Sequence, residues 1–157
     1  MNKNPKIIHS SEKKVIGTQS TMRRNQYGNI VALWKRFMPQ KINIKNIVND
    51  EVIAMQVYSD FSNQKESFDI WACVEVSSLE AIHEGMTGFI IPEGAYAVFL
   101  HKGTNAAATY HQIMSQWLPS SSFEIDDRPH FQVMGEMYKN GSPDSEEDFY
   151  VPIRLKY

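Results

Sequence analysis

One acidic side chain in the second half of the sequence has surroundings that suit an organic cation. Glu136 belongs to the stretch HFQVMGEMY at positions 130–138, which we predict to be a β-strand. Strand side chains alternate between two faces, so Glu136 is expected to point away from Phe131 and Val133. Beside aromatic rings, a carboxylate suits a flat lipophilic cation, because each ring adds cation–π attraction of about 0.5–2 kcal/mol.

Neighbouring strands are expected to bring aromatic residues to the same face. We predict further strands at 51–59, 68–76, 96–102 and 148–155. Their apolar sides, for example Ile53, Met55 and Val57, are expected to face helices, which leaves Tyr58, Trp71, Glu75, Met134, Glu136 and Tyr150 on the other face. Small-molecule pockets are mostly apolar with few polar groups. The predicted ligand-binding residues are Glu136, Trp71, Tyr58, Trp117, Met134 and Tyr150.

The same residues also have structural interpretations. Glu136 could be a solvated strand residue or the ion-pair partner of Arg128 or Arg154. Trp117 lies on a helical apolar stripe and could belong to the core, and Trp71 could pack rather than bind. The sequence leaves both sets of interpretations open.

Other patterns that would indicate chemistry are absent from the sequence. The five histidines are scattered, and no H-x-x-x-H or C-x-x-C spacing suggests a metal. There is no G-x-S-x-G, no P-loop and no dinucleotide fingerprint. We therefore expect no metal, no cofactor and no assigned catalytic residue.

Composition narrows the class of protein. The 157 residues carry 16 basic and 18 acidic side chains, a formal net charge of −2, which argues against direct nucleic-acid binding. A single cysteine excludes an internal disulfide and fits a reducing compartment. Without a signal peptide or a span of roughly 20 apolar residues, we expect a cytoplasmic protein with no membrane partner.

Each half of the sequence contains one predicted amphipathic helix. The spacing i, i+3, i+4, i+7 is met first by Ile30, Leu33, Trp34 and Phe37 and then by Tyr110, Ile113, Met114 and Trp117. Pro39 and Pro119 are expected to end these helices. The order strand–helix–strand–strand therefore occurs twice, which indicates a duplication.

We predict one α+β domain over 1–157, built from tandem duplicated βαββ units with pseudo-two-fold symmetry. Its antiparallel sheet would leave a central ligand cleft on the face opposite the helices. The repeats are expected at about 13–77 and about 91–157, with a connector at about 78–90. Within the first repeat, 14–22 is predicted as an edge strand and 40–50 has no assigned structure or role. Residues 1–12, which precede the repeat, have none either.

Several motifs in one order resemble a known family. They are FDIWACVEV, IPEGAYAVFLHKG, WLPSS, PHFQVMGEMY, PDSE and YVPI. Together they resemble the bacterial AraC-type effector-binding domain, also called the gyrase-inhibitor-like small-molecule-binding domain. The resemblance implies two βαββ units and a cleft that binds lipophilic cations through aromatic rings and a buried glutamate. It maps that glutamate to Glu136 and the rings to Trp71 and Tyr58.

The predicted function is binding of lipophilic, cationic organic molecules, in sensing, transcription regulation or sequestration. Because the residues before Lys14 are too few for a helix-turn-helix and the given sequence ends at Tyr157, we expect the standalone, integron-associated type, which the sequence resembles. Two alternatives stay open. One is a small-molecule hydrolase with Glu136 as general base, and the other is a protein-binding inhibitor of the gyrase-inhibitor type. The sequence does not predict the natural ligand or the oligomeric state.

Overall fold

The computed structural model describes residues 4–23, 26–61, 66–139 and 141–156. Its strands are β1 (Lys6–Ser10), β2 (Lys13–Met22), β3 (Val52–Val57), β4 (Phe68–Val76), β5 (Thr87–Ile91), β6 (Gly94–Lys102), β7 (Phe123–Ile125), β8 (His130–Met134) and β9 (Glu146–Leu155). Its helices are α1 (Gly28–Gln40), α2 (Ala106–Gln112) and α3 (Leu118–Ser120), with a 3₁₀ turn at Lys41–Asn43 and a π turn at Ile113–Trp117.

The strands form one antiparallel sheet that passes through both halves of the chain. Its order is β1-β6-β9-β8-β3-β4-β2-β5, with β7 beside β9. The three strands β2, β4 and β3 of the first half mirror β6, β9 and β8 of the second, and the halves meet where β3 pairs with β8. The α+β class with an antiparallel sheet is thus confirmed. Duplication would produce this order but itself stays a prediction.

Strands β1, β5 and β7 were not predicted from the sequence. Strand β2 was predicted, but its position within the sheet was wrong. β2 is not an edge strand, because it pairs with both β4 and β5. β1 adds to β6 from within the polar segment 1–12, of which residues 1–3 lie outside the described residues. Gly17 permits the close approach of β2 to β4, since a Cβ there would lie 2.0 Å from the carbonyl oxygen of Ala72.

Both helices pack on the same face of the sheet. Leu33 and Phe37 of α1 are buried in one cluster with the apolar side of β4, and Ile113 is buried with Phe99 and Phe149 in another. Full burial of such side chains contributes about 1.5–3 kcal/mol each, so the predicted apolar stripes hold the helices in place. No helix in the described ranges is long and apolar enough to span a bilayer.

Neither proline ends its helix where the sequence predicted. α1 includes Pro39 and runs to Gln40, and Pro119 lies inside the final turn α3. A proline donates no hydrogen bond to the carbonyl four residues before it. In the second half a π turn at Ile113–Trp117 precedes the proline. Such turns, with hydrogen bonds between residues five apart, occur mostly as single-turn bulges inside α-helices.

The second face of the sheet is a core and not the predicted cleft. Trp71, Tyr96 and Phe131 are buried there, each 4% exposed or less. Ile8 from one end of the strand order and Phe89 from the other pack against the same cluster. The sheet therefore curls, and this face closes on itself.

Candidate functional site

A cavity of about 760 Å³ lies between the two helices, above the central strands. That volume is within the range of about 300–1,000 Å³ typical of ligand pockets. Its lining combines α1, the centre of the sheet and α2: Met22, Tyr27, Ile30, Leu33, Trp34, Ala54, Met55, Gln56, Tyr58, Phe61, Phe68, Ile70, Trp71, Thr104, Asn105, Ala106, Ala107, Tyr110, His111, Met114, Gln132, Glu147 and Phe149.

The cavity exists because the helices cover the two outer parts of the sheet and leave its centre open. α1 packs over β2 and β4, and the π turn that follows α2 packs over β6 and β9 through Ile113. The central strands β3 and β8 therefore present Ala54, Gln56 and Gln132 to the cavity floor. Residues paired across an antiparallel sheet share a face, so the floor follows from the pairing of Ala54 with Gln132.

Aromatic rings form much of the cavity wall. The ring of Tyr58 lies 4.7 Å from that of Phe68 and 5.0 Å from that of Phe61, between centroids. On the opposite side, Tyr110 lies 6.2 Å from Phe149. Ring separations of about 4.5–7 Å are those of favourable aromatic pairs, so the wall is held in shape before any ligand arrives.

Glu147 supplies a carboxylate to this mostly apolar cavity. It lies near the start of β9, on the same face as Phe149, and is half-buried. Burial raises the pKa of Glu147 from 4.5 to about 7, because the charged form is poorly solvated there. Among the described residues, Glu147 has no cationic partner. The cavity thus contains an acid that a cation would stabilise.

The histidine that pairs with Glu147 in the sheet does not neutralise it. His101 pairs with Glu147 across β6 and β9, but its Nδ1 is 2.7 Å from Thr109 Oγ1 and its Nε2 donates to the carbonyl oxygen of Gly103 at 3.1 Å. A carbonyl oxygen can only accept, so His101 Nε2 carries the proton. Burial lowers the pKa of His101, so this ring is uncharged near neutral pH.

Two glutamines on the floor bind each other. Gln56 Nε2 donates to Gln132 Oε1 at 2.9 Å, and Gln132 Nε2 donates to Gln56 Oε1 at 3.0 Å. One glutamine comes from each half of the chain. A further hydrogen bond at the cavity wall joins the hydroxyl of Tyr110 to Nδ1 of His130.

The structure brings only some of the predicted site residues to the cavity. Tyr58 lies in the wall, and Trp71 belongs to the lining although its ring packs against Phe89 on the other face. Trp117 packs edge-on against Phe99 in the core at 5.1 Å. Met134 and Tyr150 are outside the lining, and Tyr150 stacks on Phe131 at 4.5 Å.

The predicted position of Glu136 is wrong. β8 ends at Met134, and Glu136 lies exposed in the turn that follows. It does not pair with Arg128, which bonds Asp126 at 2.8 Å, or with Arg154, which contacts Glu124 and Asp126. Glu75, also expected on the ligand face, lies 3.5 Å from Lys13. The cavity is lined by Glu147 and not by Glu136.

A separate error concerns β3 and β8, whose faces were assigned in reverse. Ile53 and Met55 point into the core on the second face, whereas Ala54, Gln56 and Tyr58 point toward the helices. For β9 the predicted helix-facing side, with Phe149 and Val151, is correct. Extending that side two residues toward the start of the strand would have identified Glu147.

Comparisons with known proteins agree on one family. Residues 6–153 match the family described as integron-associated effector binding protein. The transcriptional regulator BrlR of Pseudomonas aeruginosa is 30% identical over 124 residues, which is 77% of this chain and 45% of the regulator. The chain therefore spans about half the length of this curated relative.

Two solved structures share the fold. SAV2435 bound to tetraphenylphosphonium superposes with a TM-score of 0.73 and 12% identity, covering 96% of this chain and 94% of that one. The integron cassette protein VCH_CASS2 from the mobile metagenome of Vibrio cholerae gives a TM-score of 0.65 and 16% identity, covering 96% of both chains. The predicted family resemblance is confirmed.

Proposed function

Because the chain belongs to the family of integron-associated effector-binding proteins, we propose that it binds lipophilic organic cations in the cavity between its helices. The observation that carries this proposal is the half-buried carboxylate of Glu147 among aromatic rings, with no cationic partner among the described residues. SAV2435, which shares the fold, is bound to such a cation. The proposed biological role is that of an effector sensor or a sequestering protein.

The physics of the cavity favours a large, weakly hydrated cation over a small one. A partly desolvated carboxylate is stabilised by an opposite charge that itself loses little hydration. The rings of Trp34, Tyr58 and Tyr110 add dispersion and cation–π attraction around it. A neutral molecule of the same shape gains the packing but not the charge interaction.

A titration with tetraphenylphosphonium, followed by tryptophan fluorescence, tests the proposal, since Trp34 lines the cavity. We expect saturable binding by the wild type, with neutral triphenylphosphine oxide binding more weakly. Glu147→Gln should weaken the cation about tenfold or more, and the matched variant Glu136→Gln should leave it unchanged. The reverse pattern would return the site to the position predicted from sequence, and no saturable binding would overturn the proposal.

A second candidate function, hydrolysis of a small electrophile, is favoured by the same carboxylate. A general base works best with a pKa near the operating pH, and that of Glu147 is about 7. Incubation with an electrophile panel should then show turnover that Glu147→Gln abolishes. Equal turnover in both proteins would exclude this role for Glu147. A role as a protein-binding inhibitor stays a prediction.

A further inference from the structure

The glutamine pair on the cavity floor has hydrogen-bonding capacity that it does not use internally. A glutamine amide offers two N–H donors and two acceptor lone pairs. Each of Gln56 and Gln132 spends one donor and one acceptor on the other. Among the described residues neither has another partner, so each retains one N–H and one lone pair at the cavity surface.

The pair is held in position by the sheet. Gln56 and Gln132 come from adjacent strands, and their reciprocal bonds at 2.9 and 3.0 Å fix both amide planes. A ligand group that replaces water over this pair must therefore match a preset arrangement of donor and acceptor. An apolar group would leave buried amide groups unsatisfied, which is unfavourable.

Glu147 lies close enough for one ligand to reach both sites. Gln132 pairs with Phe149 across β8 and β9, so Glu147, two residues away on the same face, is its diagonal neighbour. Diagonal neighbours in an antiparallel pair are roughly 7–8 Å apart. We propose that the effector is a lipophilic cation that also carries a neutral hydrogen-bonding group, such as a carboxamide, which binds Gln56 and Gln132. This inference rests on the proposed cation site and adds a second recognition element to it.

Two phosphonium probes of nearly equal shape test the inference. They are (4-carbamoylbenzyl)triphenylphosphonium and (4-isopropylbenzyl)triphenylphosphonium, compared by calorimetric or fluorescence titration. We expect wild type to bind the carboxamide about tenfold more tightly, as one or two added hydrogen bonds would give. The double variant Gln56→Met, Gln132→Met should lose or reverse that preference, because replacing both partners removes the amides without leaving one unpaired.

Further variants separate this inference from the proposal on which it depends. Each single change, Gln56→Met or Gln132→Met, leaves one amide and should retain part of the preference. Glu147→Gln should weaken both probes while their ratio stays near the wild-type value. Equal wild-type affinities, or a preference that survives in the double variant, would overturn the glutamine role while cation binding stands. If neither phosphonium binds, the cation site is overturned together with it.

Discussion

The two halves of the chain use the same order of elements but bring different chemistry to the shared cavity. In the first half, β4 turns Phe68, Ile70 and Ala72 toward the helix side, and all are apolar. In the second half, β9 turns Glu147 to that side before Phe149. The helix side of β4 is therefore apolar, whereas that of β9 also carries a carboxylate.

The helices of the two halves also differ in whether their side chains are apolar or hydrogen-bonded. The first half has one uninterrupted helix, α1, whose Ile30 and Trp34 reach the cavity as apolar side chains. The second has a short helix, α2, followed by a π turn, and its Thr109 and Tyr110 hydrogen-bond to buried histidines. A common order of elements can thus hold apolar helix contacts in one half and hydrogen bonds from helix to buried histidine in the other.

The largest expected effect tests whether the two helices are equally anchored. Phe37→Ala in α1 and Phe99→Ala beneath the second helix each remove a side chain that is at most 2% exposed. Each should lower the free energy of unfolding by about 3–5 kcal/mol, as measured by denaturant titration. A much smaller loss for one of them would show that the halves differ in packing as well as in chemistry.

Loss of the Thr109–His101 hydrogen bond in the second half should lower stability by less than loss of a buried aromatic ring. Thr109→Val removes the 2.7 Å partner of His101 Nδ1 and leaves that buried nitrogen unpaired. We expect a loss of about 1–3 kcal/mol. Thr18→Val on β2 is the matched control, because its buried hydroxyl has no hydrogen-bond partner in the part of the chain that the structure describes and its removal should cost little. Equal effects of the two would mean that the His101 contact contributes no stability.

Stability should also depend on pH through Glu147. Its pKa is about 7 in the folded protein but about 4.3 in an unfolded chain, so the folded state is favoured while the group is protonated. The stabilisation contributed by protonated Glu147 is fully present below about pH 4 and is lost as the pH rises through about 7. Glu147→Gln should therefore be more stable than wild type at pH 8, by about 1–2 kcal/mol after allowing for partial exposure. Identical curves for the two proteins would contradict the burial of this carboxylate.

Ligand affinity should change with pH in the opposite direction. A cation binds the ionised form of Glu147, whose fraction rises steeply around a pKa of about 7. Affinity for tetraphenylphosphonium should increase about tenfold between pH 6 and pH 8 and then level off. In Glu147→Gln the affinity should not vary over this range. A wild-type affinity that is also constant would assign the charge interaction to another group.

Much of the framework could be predicted from the sequence because its signals are local. β4 has the predicted bounds Phe68–Val76, and the apolar stripes of both helices are where periodicity placed them. β1, β5 and β7 were missed because they are short and half-exposed. Each pairs with a strand that is distant in the sequence. A local hydrophobic pattern carries no information about such pairing.

The site was harder to predict because it depends on which face of each strand meets the helices. β3 has Ile53 and Met55 on one side and Ala54 on the other, and both faces contact buried groups. When both faces are buried, alternation alone cannot assign them. Glu147 stands between two other acidic residues, Glu146 and Asp148, and only the register of β9 distinguishes its environment from theirs.

The junction of β3 and β8 at the cavity floor links occupancy to the integrity of the whole fold. A ligand seated there touches Gln56 from one half and Gln132 from the other, so neither half alone retains the complete site. Opening of either half would release the ligand, and its binding free energy must therefore appear as added resistance to unfolding. At a free ligand concentration of 100 times Kd, that linkage amounts to about 2.7 kcal/mol, and a thermal melt can report it without any optical signal from the ligand.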